Sequence, residues 1–138
     1  MSDKDSSTNT AAVNSRIMLV DDEPDINAAL SVVLKRAGYY VDTFDNPFIA
    51  LEKLKPGFYG LIILDVKMPQ MDGFELYREI KKVDRKAKIC FLTASELYYE
   101  NFRKEKFADL DNELFIIKPI SNAELLKKID FILKVPGT

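Results

Sequence analysis

Short apolar runs alternate with stretches of helical period along most of this chain, and that alternation constrains its fold more than any other feature. Ile17-Met18-Leu19-Val20, Tyr40-Val41-Asp42-Thr43-Phe44, Leu61-Ile62-Ile63-Leu64, Ile89-Cys90-Phe91-Leu92 and Phe115-Ile116-Ile117 are the five strand candidates. Four of them are apolar throughout, as strands are when helices cover both faces of a parallel sheet. The second alternates, which predicts an edge position. Helices separate the runs, and their ends are marked. Pro24 opens one carrying Ile26, Ala29, Leu30, Val33 and Ala37, closed by Gly38. Asn46-Pro47 opens a second with Leu51 and Leu54, stopped by Pro56-Gly57. Asp72 and Glu75 have capping-box spacing ahead of Phe74, Leu76, Tyr77 and Ile80, and Ser121 and Glu124 have it ahead of Leu125, Leu126, Ile129 and Ile132. A further helix is expected from Ser95 or Glu96. The sum is an α/β fold with a doubly wound, five-stranded parallel sheet and five helices.

Composition narrows the function. The 138 residues leave room for one domain. Ten of the first 15 are Ser, Thr, Asn or Asp, too polar to offset the entropy of ordering, so residues 1–15 read as a disordered tail, 16–134 as the domain and 135–138 as a C-terminal tail. With 20 basic and 22 acidic residues the net charge is -2, which offers no field for nucleic acid or an anionic membrane. The longest apolar runs of the first and third strands are four residues, too short to cross a bilayer, and the polar N-terminus does not resemble a signal peptide. A cytoplasmic protein is expected. The chain has no histidine, so an imidazole base, a His-ligated metal and a phosphohistidine carrier are excluded. Cys90, the single cysteine, lies inside an apolar run and reads as a buried thiol.

In an open parallel sheet, ligands bind beyond the carboxyl ends of the strands. Here those ends are polar: Asp21-Asp22-Glu23, Asp65, Thr93 and Lys118-Pro119. Each has an ordinary explanation alone, an acidic pair as a helix cap and a threonine as a turn residue. Together they would set three carboxylates against one lysine at one edge, a repulsion relieved by raised pKa values or by a cation. A hard divalent ion such as Mg²⁺ suits oxygen ligands of this kind. Such a site suits phosphoryl transfer to a carboxylate, which needs positioning and charge stabilisation more than acid–base groups. Asp65, on the central strand, is the best nucleophile.

The stretches Met18-Leu19-Val20-Asp21-Asp22-Glu23-Pro24, Leu64-Asp65-Val66-Lys67-Met68-Pro69-Gln70-Met71-Asp72-Gly73, Leu92-Thr93-Ala94 and Phe115-Ile116-Ile117-Lys118-Pro119 resemble the receiver domain of two-component response regulators, from about Arg16 to Leu133. The resemblance implies a flavodoxin-like sheet of order 2-1-3-4-5. It implies that Asp65 accepts a phosphoryl group from a sensor histidine kinase or phosphotransfer protein. It also implies Mg²⁺ held by Asp22, Asp65 and the Lys67 backbone carbonyl, with Asp21 acting through water. Lys118 would pair with Asp65 or its phosphate, and the bond to Pro119 would be cis. Thr93 and Phe115 would form a switch that alters the surface built by the fourth helix, fifth strand and fifth helix, where a downstream protein target or a phosphorylation-dependent homodimer would form. Phe115 also reads as a plain core aromatic, and Met68 and Met71 as gap-filling contacts.

Two departures stand out. The interval from Thr93 to Lys118 is long, and Glu105 to Glu113 occupies the place of the usual small-residue turn. Lys67 stands where the family tunes dephosphorylation. The expected protein is a phospho-acceptor switch without an output domain rather than a turnover enzyme. The alternatives are a receiver excised from a longer transcription regulator and a Mg²⁺-dependent phosphatase of the haloacid-dehalogenase kind. That kind of phosphatase places an Asp where Lys67 stands. A flavodoxin-like cofactor binder would need a phosphate loop in place of Asp21-Asp22-Glu23, and an unphosphorylated receiver-like module is the remaining reading.

Overall fold

A computed structural model describes residues 14–93 and 115–134. Its elements are β1 (Arg16–Val20), α1 (Pro24–Arg36), β2 (Tyr40–Phe44), α2 (Pro47–Lys53), β3 (Leu61–Leu64), α3 (Gly73–Val83), β4 (Ile89–Thr93), β5 (Phe115–Ile117) and α4 (Asn122–Lys134). The five strands form one parallel sheet in the order β2-β1-β3-β4-β5, with β2 at an edge. The helix expected from Ser95 or Glu96 lies outside the described residues, as does Glu105 to Glu113; the helix expected after Ser121 is α4. Among the described residues there are four helices.

The side-chain alternation of the strands sorts the core into two layers. Met18, Val20, Ile62, Leu64, Ile89, Phe91 and Phe115 meet α2 and α3 through Ala50, Leu76 and Ile80. Ile17, Leu19, Leu61, Ile63, Cys90, Leu92 and Ile116 meet α1 and α4 through Leu34, Leu125, Ile129 and Ile132. Both faces are therefore covered, which explains why β1, β3 and β4 carry no alternation. Cys90 is fully buried, and burial pushes its thiol up to about 12, so it stays protonated as expected of a core residue.

The helix ends follow the sequence signals with two refinements. Asn46 Oδ1 accepts from the backbone N–H of Phe48 at 2.8 Å and of Ile49 at 3.2 Å. Asp72 and Glu75 close the full capping box, at 2.8 and 3.0 Å. At α4 the Ser121 hydroxyl oxygen accepts from Glu124 N–H at 3.1 Å, but Glu124 Oε1 takes its bond from that hydroxyl at 3.3 Å rather than from the backbone. In α1 the buried stripe is Asn27, Ser31 and Leu34. Ala29 and Ala37, expected on the apolar face, are exposed. Asn27 faces inward because its amide donates to backbone carbonyls inside the fold, and Ser31, one turn on, shares that face.

Candidate functional site

The chain runs from β1 to the edge strand β2 and back past β1 to β3, so the crevice where the connections diverge opens between the ends of β1 and β3. Asp21 and Asp22 follow β1 directly, and Asp65 follows β3. Backbone bonds hold both ends: Asp65 N–H donates to Val20 O at 2.9 Å, and Asp21 N–H to Phe44 O at 3.1 Å. One carboxylate oxygen from each of Asp21, Asp22 and Asp65 lies within 4.8 Å of the others. Neither member of the acidic pair caps α1, whose N-cap is Glu23 without a side-chain bond. Asp21 Oδ1 instead accepts from Glu23 N–H at 2.9 Å.

Thr93 and Lys118 complete the edge. Lys118 N–H donates to Thr93 O at 2.8 Å, extending the β4–β5 ladder, and the Lys118–Pro119 bond is cis. These residues, with Glu23, Ile26, Lys67, Met68 and Pro69, line one open cleft of about 590 Å³. Lys67 is exposed at its rim, while Met68 is buried in the core. Phe115 stands apart from the cleft lining: it is 5% exposed and packs in the core on the α2–α3 side of the sheet.

The electrostatics follow from this crowding. Burial, then the charges of Asp21 and Asp22, push the Asp65 carboxyl up to about 7, against the opposing pull of Lys118 and a backbone N–H. Asp21 is also raised, chiefly by burial, with Glu23 N–H and Lys118 opposing. The cluster thus holds more negative charge than the single lysine offsets, and an all-oxygen donor set of this kind fits a hard divalent cation.

Three residues not singled out from the sequence shape the site. Asn27, 4% exposed, donates through Nδ2 to the carbonyls of Asp21 at 2.8 Å and Phe44 at 3.1 Å, tying the ends of β1 and β2 together. A polar residue in register with Ser31 and Leu34 was its sequence signal. Gly73 N–H donates to Val66 O at 2.8 Å, and a Cβ there would run into the Asp65 carbonyl. Only glycine lets α3 begin so close to the Asp65 backbone. Gln70 has a φ of 71°, with Met71 N–H donating to Pro69 O at 2.8 Å across it. That three-residue turn is strained for a side-chain-bearing residue, and it follows directly on Pro69 at the cleft.

The family model for the response regulator receiver domain matches residues 17–130. The receiver protein CpdR of Brucella abortus is 41% identical over 78 residues, which are 56% of this chain and 65% of that protein. The transcriptional regulatory protein CpxR homolog of Haemophilus influenzae is 34% identical across 87% of this chain and 51% of its own. The chain thus spans between half and two thirds of the length of these relatives. Among solved structures, the response regulator TrrA of Thermotoga maritima in complex with Mg²⁺-BeF is 36% identical, with a TM-score of 0.70 over 86% of this chain and 98% of that one. A CheY-like receiver domain protein of Methanospirillum hungatei is 30% identical, with a TM-score of 0.73 over 87% and 94%.

Proposed function

The chain belongs to the response regulator receiver domain family of two-component systems, and from that premise we propose that it is a phospho-acceptor switch with Asp65 as the acceptor. The observation that carries the reading is the convergence of Asp21, Asp22 and Asp65 within 4.8 Å in a cleft also lined by Thr93 and Lys118. The phosphodonor is a histidine kinase or phosphotransfer protein of the cytoplasm. It supplies the imidazole that this chain lacks.

In the transfer, an Asp65 carboxylate oxygen forms a bond to phosphorus as the P–N bond of the donor's phosphoimidazole breaks, and the electron pair leaves on the imidazole nitrogen. Asp22, Asp65 and the Lys67 carbonyl would hold Mg²⁺ directly, and Asp21 through water. The ion, when bound, neutralises charge on the phosphoryl oxygens. Lys118 places its ammonium against another of those oxygens, and the Thr93 hydroxyl donates to a third. Asp65 carries the product itself, so the domain is a switch and not a turnover enzyme. Movement of Thr93 toward the phosphoryl group would favour the inward Phe115 ring over an outward one, and that shift of population would change the surface beside β5 and α4 that a downstream protein or a second copy reads.

A second reading is carried by the comparison of lengths. The CpxR homolog is named a transcriptional regulatory protein, and this chain covers 51% of it, as a receiver module within a longer regulator would. The phosphatase reading has less support, since Lys67 is an exposed lysine at the cleft rim where a second acid would be needed.

Intact mass after incubation with Mg²⁺ and acetyl phosphate tests the proposal. A single phosphoryl adduct is expected, absent in Asp65→Asn. An adduct that persists in Asp65→Asn places the acceptor elsewhere, and no adduct across donors and metals favours a module that is never phosphorylated.

A further inference from the structure

Strand register puts Leu64 of β3, Phe91 of β4 and Phe115 of β5 in one row across the sheet, directly beneath Asp65. Phe91 is the middle of that row and is fully buried. Its ring centroid lies 5.6 Å from that of Phe115, tilted at 37°. On the helix side it meets Phe74 of α3 edge-on at 5.2 Å and Tyr77 at 5.7 Å. The Lys81 ammonium sits 5.7 Å from the Tyr77 ring and donates to Ala87 O at 2.6 Å, pinning the outer end of the stack to the loop that leads into β4.

We infer that Phe91 is a positioning residue for the Thr93–Phe115 switch: its ring, braced by α3, holds the Phe115 ring on the interior face of the sheet before any phosphoryl group arrives. The inference rests on the switch reading above and adds a regulator of that same site. Phe91 lies two residues before Thr93 on the same strand, so its side chain shares a sheet face with Thr93 and with its register partner Phe115. A Phe115 ring that left the interior would forfeit the contact with Phe91 and expose the stack. An aromatic pair of this geometry favours the packed arrangement by a factor of about 2 to 10. Because the proposed phosphoryl group favours the same arrangement, linkage requires that Phe91 also favour phosphorylation.

The test uses the full chain carrying 4-fluorophenylalanine at position 115, followed by ¹⁹F NMR without and then with Mg²⁺ and beryllofluoride. In the unliganded protein Phe91→Leu is expected to shift the fluorine population toward a solvent-accessible environment by about 2- to 10-fold. It should slow adduct formation from acetyl phosphate by a similar factor while leaving Mg²⁺ affinity unchanged. Phe91→Met, which keeps bulk and a sulfur–ring contact, should recover at least half of both effects. Ile80→Val, a core substitution on α3 with no ring in this stack, should lower stability without moving the fluorine signal. An unchanged Phe115 signal in both Phe91 variants overturns the inference, and so does a signal that moves equally in Ile80→Val. If Phe91→Leu does not fold, Phe91→Met carries the same comparison at reduced amplitude. Should the wild type form no adduct, the switch reading fails, while the fluorine populations still decide what Phe91 does to Phe115.

Discussion

The two ends of the sheet spend their charges differently. At the amino ends of the strands, polar groups find partners. Asn14 Nδ2 donates to Phe58 O at 3.0 Å and its Oδ1 accepts from Arg16 N–H at 3.0 Å, while Asp84 Oδ2 accepts from Gly57 N–H at 3.0 Å. Lys88 Nζ donates to the carbonyls of Ile132 and Leu133 at 3.0 and 3.1 Å, where it meets the negative end of α4. At the carboxyl ends, three acids face one lysine and the Asp65 carboxyl is pushed up to about 7. One end is assembled for stability, and the other stores repulsion that a bound cation would relieve.

Substitution should separate the two ends, and the largest effects come from their glycines. A Cβ at Gly73 meets the Asp65 carbonyl, and one at Gly60 meets the Asn14 carbonyl. Each Gly→Ala change is expected to cost about 3 kcal/mol in urea unfolding. Gly73→Ala should also weaken Mg²⁺ binding, measured by titration calorimetry, whereas Gly60→Ala should leave it intact. Equal Mg²⁺ affinities in the two variants would erase the distinction between the ends.

Asp65→Asn comes next and works in the opposite direction. In metal-free protein the raised value means that the folded state holds this proton more tightly than the unfolded state, so the wild type loses stability as pH rises from about 4 to about 7. The rise from 3.8 to about 7 amounts to about 4 kcal/mol in full, and partial exposure screens it to about 2 kcal/mol. The variant should therefore be more stable than wild type by that amount at pH 8 and equal to it near pH 4. Saturating Mg²⁺ should stabilise the wild type and largely abolish the gap. A variant that is less stable than wild type at pH 8 would show that the cluster carries no stored repulsion.

The smaller effects belong to the amino end and to the outer surface. Lys88→Met removes two bonds to the last turn of α4 and is expected to cost about 1 kcal/mol by thermal unfolding, with no change in Mg²⁺ affinity. Lys82→Ala breaks an exposed pair with Glu79 and should cost less than about 0.5 kcal/mol. A larger loss there would mean that surface pairs matter more in this fold than their exposure implies.

Much of this organisation can be read along the chain. Apolar runs mark the strands, the alternation of Tyr40 to Phe44 marks the edge, and Asn46 and Asp72 mark helix starts, because each signal is local. The polar strand ends likewise point to one carboxylate-rich edge. The face of α1 differs from the sequence expectation because Asn27 looks like a surface residue until the carbonyls of Asp21 and Phe44 are brought beside it, and Ser31, one turn on, is buried on the same face. Gly73 looks like an ordinary helix start until α3 closes on Asp65. Phe91 looks like one apolar strand residue among many.

The order of residue types along this chain was enough to specify a doubly wound sheet and the chemical character of its polar edge, since periodicity, caps and strand-end residues act within a few positions of one another. Distances and registers were not in it. The 4.8 Å gathering of Asp21, Asp22 and Asp65, the raised Asp65 carboxyl, the Asn27 clamp and the Phe91–Phe115 contact arise between residues far apart in sequence. They depend on how helices settle on the sheet, and that packing sets the burial and field at each group.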